Sequence, residues 1–379
     1  MTSGSSRPKT NGRPKRPDWP NGQTRSETTS PEGTIPNLSP GRAIPNLSTE
    51  ENIPALALNL SDVGHEENLA ANDPEEFRRR ISSLCNDACA RFGCQPIERI
   101  YVGSYFCDRF FLSLNRPFYE RVMAFCREYS LGLTLVVPVF GQSTLKAGRK
   151  RLETLLTFQD EYGFLIDEAV ANDPAMALYL SEVSDRRAMD DKTSAPLRLS
   201  LGRMMAKSPR DPRYSVMEES AQPFALDAVN ATSLVNRFGY ELAECDPTTP
   251  IVDATPLQGI LPLALHLPHC FMTTGHICHP ASTNRPLEQK FRADAPCHQE
   301  CLSGVQVYEH RNQDDDRPLW LTRLGRTIFF ENPGCVIEGQ EPARIIWTPA
   351  DFICGTPNFV EEYQAFWNAG TWNGGTTWE

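Results

Sequence analysis

No stretch of this chain approaches the roughly 20 consecutive apolar residues that a membrane-spanning helix needs. Its first residues, MTSGSSRPKTNGRPKRPDWP, lack the apolar core of a secretory signal. The expectation is a cytoplasmic protein without a membrane span. Positive charge is also in short supply: 37 Lys and Arg against 48 Asp and Glu leave a formal net charge of −11. That balance argues against a protein that wraps duplex DNA, while leaving room for a local basic groove that meets RNA. G-x-S-x-G, H-E-x-x-H and P-loop patterns are absent, and with them the nucleophile elbow, the zinc-protease helix and the phosphate-cradling loop. Cysteine, by contrast, is plentiful, with 12 residues. In a reducing compartment structural disulfides are rare, so ligation of a metal or cluster is the better reading of that number.

At 379 residues and 40% hydrophobic composition the chain can bury a substantial core in one large domain or two ordinary ones. Residues 1–72 are rich in Pro, Ser, Gly, Asn and Thr and contain the echo TIPNLSPG and AIPNLSTE, the composition of a disordered tail. The basic run Arg13 to Arg16 reads as solvated, and the short apolar stretch IPALALNL (53–60) as a segment that docks on the folded body. From Asp73 the pattern changes. A capped helix is expected after Asp73-Pro74, then a strand over IERIYVGS (97–104), a helix over 116–130 and a buried strand over LTLVVPVFG (133–141). Further helices follow over 145–162 and 175–185, with strands over FLIDEAV (164–170) and LRLSLGRMM (197–205), and the theme repeats in 224–246 and the apolar strand ILPLALHLP (260–268). This alternation predicts parallel βα units in a barrel or a doubly wound sheet. The runs VQVYEH, PLWLTRLGRTIFFEN and ARIIWTPADF read as strands or hairpins closing the fold, and 363–379 as a flexible C-terminal tail.

Chemistry-bearing residues crowd between His266 and Cys301. This segment holds Cys270, Cys278, Cys297 and Cys301 together with His266, His269, His276, His279 and His298, five of the seven histidines in the chain. Thiolates and imidazoles hold iron–sulfur clusters or zinc, and a loop beyond the carboxyl end of a parallel strand is where α/β folds place function. Cys278, Cys297 and Cys301 with one histidine would make a Cys3His zinc site, although only CHQEC supplies the tight ligand pair that closed zinc sites use twice. Cys85, Cys89 and Cys126 fall on helical segments and read as small buried hydrophobes. Asp167 and Glu168 form either an acid–base pair or a solvated strand edge. The run Arg203 to Arg213 is either an anion clamp acting through Arg210 and Arg213 or an exposed loop.

Three stretches, IYVGSYFCDRFF (100–111), LPLALHLPHCFMTTGHICHPAS and CHQEC, with the order of elements, resemble peptidase family U32, the collagenase-like family. The resemblance covers about Ile97 to Asp351, and GHIC stands where the family has GRC or ARC. It implies a TIM-barrel-like α/β barrel over 73–362 and places the chain nearest the iron–sulfur branch of oxygen-independent ubiquinone hydroxylation. By the same resemblance Cys107, Cys278, Cys297 and Cys301 are the ligands of a [4Fe-4S] cluster, with Cys270 and Cys335 as rivals for the place of Cys107. It further implies oxygen-independent hydroxylation of a small molecule or RNA, with a paralogous U32-type subunit and an electron donor such as ferredoxin as partners. The alternatives are a barrel or assembly protein with structural Zn²⁺, and a U32-type peptidase for which the sequence offers no nucleophile–base motif.

Overall fold

The computed structural model describes residues 54–61, 73–92, 95–162, 166–189, 196–206, 228–246, 251–267, 269–283, 285–290, 292, 297–303, 306–310, 319–331 and 336–349. Most of residues 1–72, Arg210, Arg213, Cys335 and the segment 363–379 lie outside them. The elements in chain order are β1 (Ala55–Asn59), α1 (Pro74–Arg91), β2 (Ile97–Gly103), α2 (Asp108–Ser113), α3 (Arg116–Glu128), β3 (Gly132–Val137) and α4 (Leu145–Tyr162). There follow β4 (Glu168–Ala171), α5 (Pro174–Ala188), β5 (Arg198–Leu201), α6 (Arg203–Ala206), α7 (Ala228–Phe238), β6 (Tyr240–Cys245) and β7 (Ile251–Asp253). The last are β8 (Leu263–Leu267), β9 (His269–Thr274), α8 (His279–Thr283), β10 (Gln306–His310), β11 (Leu319–Leu324), β12 (Thr327–Glu331), β13 (Val336–Glu338) and β14 (Arg344–Trp347).

Eight parallel strands close into a barrel in the order β1, β14, β8, β6, β5, β4, β3, β2. Of the two architectures compatible with alternating βα units, the closed one is present. Strands in such a barrel are covered by helices outside and by side chains inside, which is why β3 reads as an apolar run with one polar member, Thr134, and is buried from Leu133 to Val137. Helices begin where local chemistry starts them. Asp73 caps α1 by accepting from Glu75 N at 2.9 Å, and Asp173 caps α5 by accepting from Ala175 N and Met176 N, each ahead of a proline in the first turn.

The segment IPALALNL does more than dock on the body. Ala55–Asn59 is a barrel strand, paired in parallel with β14 on one side and β2 on the other, so the barrel takes in residues that precede Asp73. Its apolar run is short because closure needs only five residues there. At LRLSLGRMM the strand stops at Leu201, and Arg203–Ala206 turns into a helix. Beyond β8 the chain leaves the barrel. β9 joins β12, β11 and β10 in a four-stranded antiparallel sheet, and β7 pairs with β13, before β14 returns to close the barrel. Among the described residues, no helix is long and apolar enough to cross a membrane.

Candidate metal centre

Parallel strands all end on one side, and the loops there carry the side chains of interest. The chain after β2 runs through Ser104 to Cys107, whose sulfur caps α2 by accepting from Phe110 N at 3.4 Å. The long excursion after β8 supplies Cys278 just before α8, then Cys297 and Cys301. These four cysteines line a single pocket with Phe106, Phe110, Phe329 and Arg326 among its other walls. Sequence-distant thiols thus meet because both loops leave the same end of one closed sheet.

The packing around the thiols is close. Gly325, in the two-residue turn between β11 and β12, has φ +60°, and a β-carbon there would lie 3.1 Å from Cys301 Cβ, 3.7 Å from its Sγ and 3.9 Å from Cys278 Sγ. Two of the sulfurs therefore lie within 4 Å of one point. Gly325→Ala is expected to cost about 1–3 kcal/mol through the left-handed backbone alone, with crowding of Cys301 added, and a lowered unfolding midpoint in urea would register it. Gln299, itself at φ +60°, donates from Nε2 to Ser113 Oγ at 3.0 Å and so ties the Cys297–Cys301 turn to the end of α2.

Burial pushes the Cys107 thiol up to about 12, against the pull of Arg326, and raises those of Cys278, Cys297 and Cys301 as well. Cys301 is raised further by the proximity of the other three, a sign that all four lie within electrostatic reach of one another. Thiols of this kind become ligands only by giving up their protons to a cation that replaces the lost solvation. Among the described residues no three His, Cys, Asp or Glu stand close enough to hold a single metal ion. A cubane takes one thiolate on each of its four irons, and the four-thiol donor set suits it.

The other residues expected at the site fall elsewhere. Cys270 is fully buried on β9, opposite Phe330 of β12, and lines no part of the pocket. His276 does line it, whereas His266 and His269 are buried beneath. Cys126 is buried on α3, as a small hydrophobe would be.

Sequence reasoning missed a buried polar network in and above the barrel. Arg203, 2% exposed, grips Asp246 with Nε and Nη2, donates from Nη2 to His269 O at 3.0 Å and meets His266 Nδ1 at 3.2 Å. Asp246 in turn accepts from Phe271 N at 3.0 Å. The strand that carries the chain towards Cys278 is thereby pinned to the ends of β5 and β6. Because a guanidinium only donates, His266 Nδ1 is an acceptor, and its Nε2–H faces Glu244 Oε2 at 3.3 Å. Burial, then the charge of Arg203, keeps His266 far below its ordinary range and therefore neutral. Glu244 also receives the Tyr105 hydroxyl at 3.1 Å. Deeper in, Glu168 is 2% exposed, which removes the solvated-edge reading for that residue. It is held by Arg344 at 2.7 and 3.1 Å, with Thr134 and Ser200 each at 3.2 Å. Asp167, more exposed, pairs with Arg99 and Arg198. The signal for this network was a single polar residue on each of several apolar strands, too sparse to read without the register.

No protein-family model matches this chain, and no curated protein is significantly similar to it. Among solved structures, the U32 peptidase Mk0906 aligns with a TM-score of 0.38 at 10% sequence identity, over 81% of this chain and 96% of that one.

Proposed function

We propose that this chain is an iron–sulfur protein of the U32 type, holding one [4Fe-4S] cluster on Cys107, Cys278, Cys297 and Cys301. The observation that supports this reading is the convergence of those four thiols, from two loops far apart in sequence, on one pocket at the carboxyl ends of the barrel strands. When bound, such a cluster supplies one-electron chemistry. The chain's own residues shape its surroundings: Phe106, Phe110 and Phe329 give the pocket apolar walls that limit water, and Arg326 places a cation beside the thiols. Contribution to an oxygen-independent hydroxylation of a small molecule or RNA, with a ferredoxin-like electron donor and a paralogous subunit, follows from the motif resemblance and is part of the same proposal.

Anaerobic metal and sulfide analysis tests it. Wild-type protein should be brown, with about four irons and matching sulfide per chain, as a cubane requires. Cys107→Ser, Cys278→Ser, Cys297→Ser and Cys301→Ser should each lose most of that iron, while Cys270→Ser and Cys335→Ser keep it. A colourless protein with one zinc and no sulfide would replace this reading with the structural-zinc one. Retention of a full cluster in Cys107→Ser would remove that residue from the ligand set.

A further inference from the structure

The four thiols come from two pieces of chain that share no strand pairing among the described residues. Cys107 belongs to the loop between β2 and α2, whereas Cys278, Cys297 and Cys301 belong to the excursion that departs after β8 and includes the antiparallel sheet. Something must hold the excursion against the barrel loop, because a cluster tolerates little error in ligand position. The two pieces touch where Gln299 meets Ser113, where Phe106 packs on Phe271 and Phe329, and at the turn between β11 and β12, which brings a charged side chain to the Cys107 loop. Arg326 reaches from that turn across to the Cys107 loop, donating from Nε to Phe106 O at 2.8 Å and from Nη2 to the same oxygen. Its Nη2 also pairs with Asp108 at 3.2 Å.

Both ends of this link are anchored. Asp108 is 5% exposed and accepts from Thr144 Oγ1 at 2.5 Å, Gly141 N at 3.1 Å and Arg109 N at 3.0 Å, so it is fixed to the loop after β3. On the other side, the Arg326 carbonyl accepts from Gly275 N at 2.9 Å, three residues before Cys278, and the preceding Gly325 packs on Cys301. The arginine is thus bonded through its backbone three residues before Cys278 and through its side chain to the residue preceding Cys107, and its neighbour Gly325 lies against Cys301. Its side chain is 11% exposed, so its charge is only weakly screened by water. Arg323, which also acts on Cys278, donates to Gly325 O at 3.3 Å.

We propose that Arg326 is the positioning residue of the four-cysteine centre, locking the excursion to the Cys107 loop and setting the reduction potential of the bound cluster through its charge. This rests on the cluster reading above. The fork to one carbonyl and one carboxylate fixes geometry, and the cation favours the reduced, more negative cluster. Removing the charge also takes from Asp108, beside Cys107, its Arg326 counter-charge, which drives the potential in the same direction.

The test compares wild type, Arg326→Gln and Arg326→Lys after anaerobic reconstitution, with circular dichroism as the check on folding. Two readouts are used: the midpoint potential from a redox titration followed by electron paramagnetic resonance, and the rate of iron loss to a chelator. Arg326→Gln is expected to titrate at a more negative potential and to release iron about 10- to 100-fold faster, the usual range for loss of a residue that orients metal ligands. Arg326→Lys keeps the charge and loses the fork, so its potential should stay near that of wild type while iron release still quickens. Wild-type potential and wild-type iron retention in Arg326→Gln would overturn the inference and leave the cluster reading intact. Should Arg326→Gln fail to fold, wild-type iron retention in Arg326→Lys overturns the positioning role by itself. A wild-type protein that takes up no iron and sulfide overturns the cluster reading, and this inference with it.

Discussion

Replacing Glu168 with alanine should lower the free energy of unfolding by about 3–5 kcal/mol, the range found when one partner of a buried ion pair is removed. The residue sits inside the barrel, on β4, and is 2% exposed. Burial by itself would raise its pKa, but Arg344 and then Arg99 outweigh that effect and hold the carboxyl below the ordinary range. The carboxylate is therefore ionised, and it answers a guanidinium that enters from β14, on the other side of the barrel opening. Alanine would leave Arg344, its side chain 12% exposed, with the Tyr101 hydroxyl at 2.5 Å as its hydrogen-bonding side-chain partner among the described residues. The Thr134 and Ser200 hydroxyls would lose their shared acceptor as well. Equilibrium unfolding in urea at neutral pH measures the loss, and a change below about 1 kcal/mol would mean the charge network is not formed. Since the folded pKa is depressed, this contribution is complete above the unfolded carboxylate range near pH 4.3. It disappears as pH falls through the lower folded value.

Glu244 should behave in the opposite sense. It lies on β6 with no exposure, and burial pushes its pKa up to about 8, against the Tyr105 hydrogen bond and the charge of Arg203. A carboxyl whose folded pKa lies above its unfolded value binds more protons when folded. Its stabilising effect is complete below about pH 4.3 and is lost as pH rises to about 8, by something on the order of 5 kcal/mol at 1.36 kcal/mol per unit. Glu244→Gln should remove that slope. The amide keeps an oxygen for His266 Nε2–H and an N–H for the Tyr105 oxygen, so the variant should match wild type within about 1 kcal/mol near pH 5. Near pH 9 it should be more stable by several kcal/mol. Unfolding curves at a series of pH values would show it, and parallel profiles for wild type and variant would show that Glu244 is not the group responsible. The two buried glutamates differ because an arginine meets one directly, while the other faces a neutral histidine and a tyrosine.

How much of this was legible without coordinates depends on the range over which each signal acts. The capped helices after Asp73 and Asp173, the apolar run of β3 and the βα alternation are local patterns, set by backbone periodicity and by hydrogen bonds between near neighbours. The cysteine motifs were likewise visible, as strings. The same string reading took Ala55–Asn59 for a docking segment, because a five-residue strand acquires its meaning only from its two neighbours, β2 and β14. It also took the chain beyond His269 for loop, whereas β9 extends to Thr274 by pairing with a strand more than fifty residues later in the chain. The buried network of Arg203, Asp246, His266, Glu244 and Tyr105 left no spacing to find, since its members come from separate segments, one or two residues from each.

The sequence by itself determined the parallel βα character of this protein, the positions of its four longest helices and which residue types could ligate a metal. Barrel closure and the meeting of Cys107 with Cys278, Cys297 and Cys301 at one pocket, which the sequence carried only through a family resemblance, and the opposite pKa shifts of Glu168 and Glu244 were decided by the tertiary structure. The physical reason is that periodicity and capping are properties of neighbouring residues. Convergence of loops and the balance between burial and charge depend instead on which distant segments the closed sheet brings to the same place.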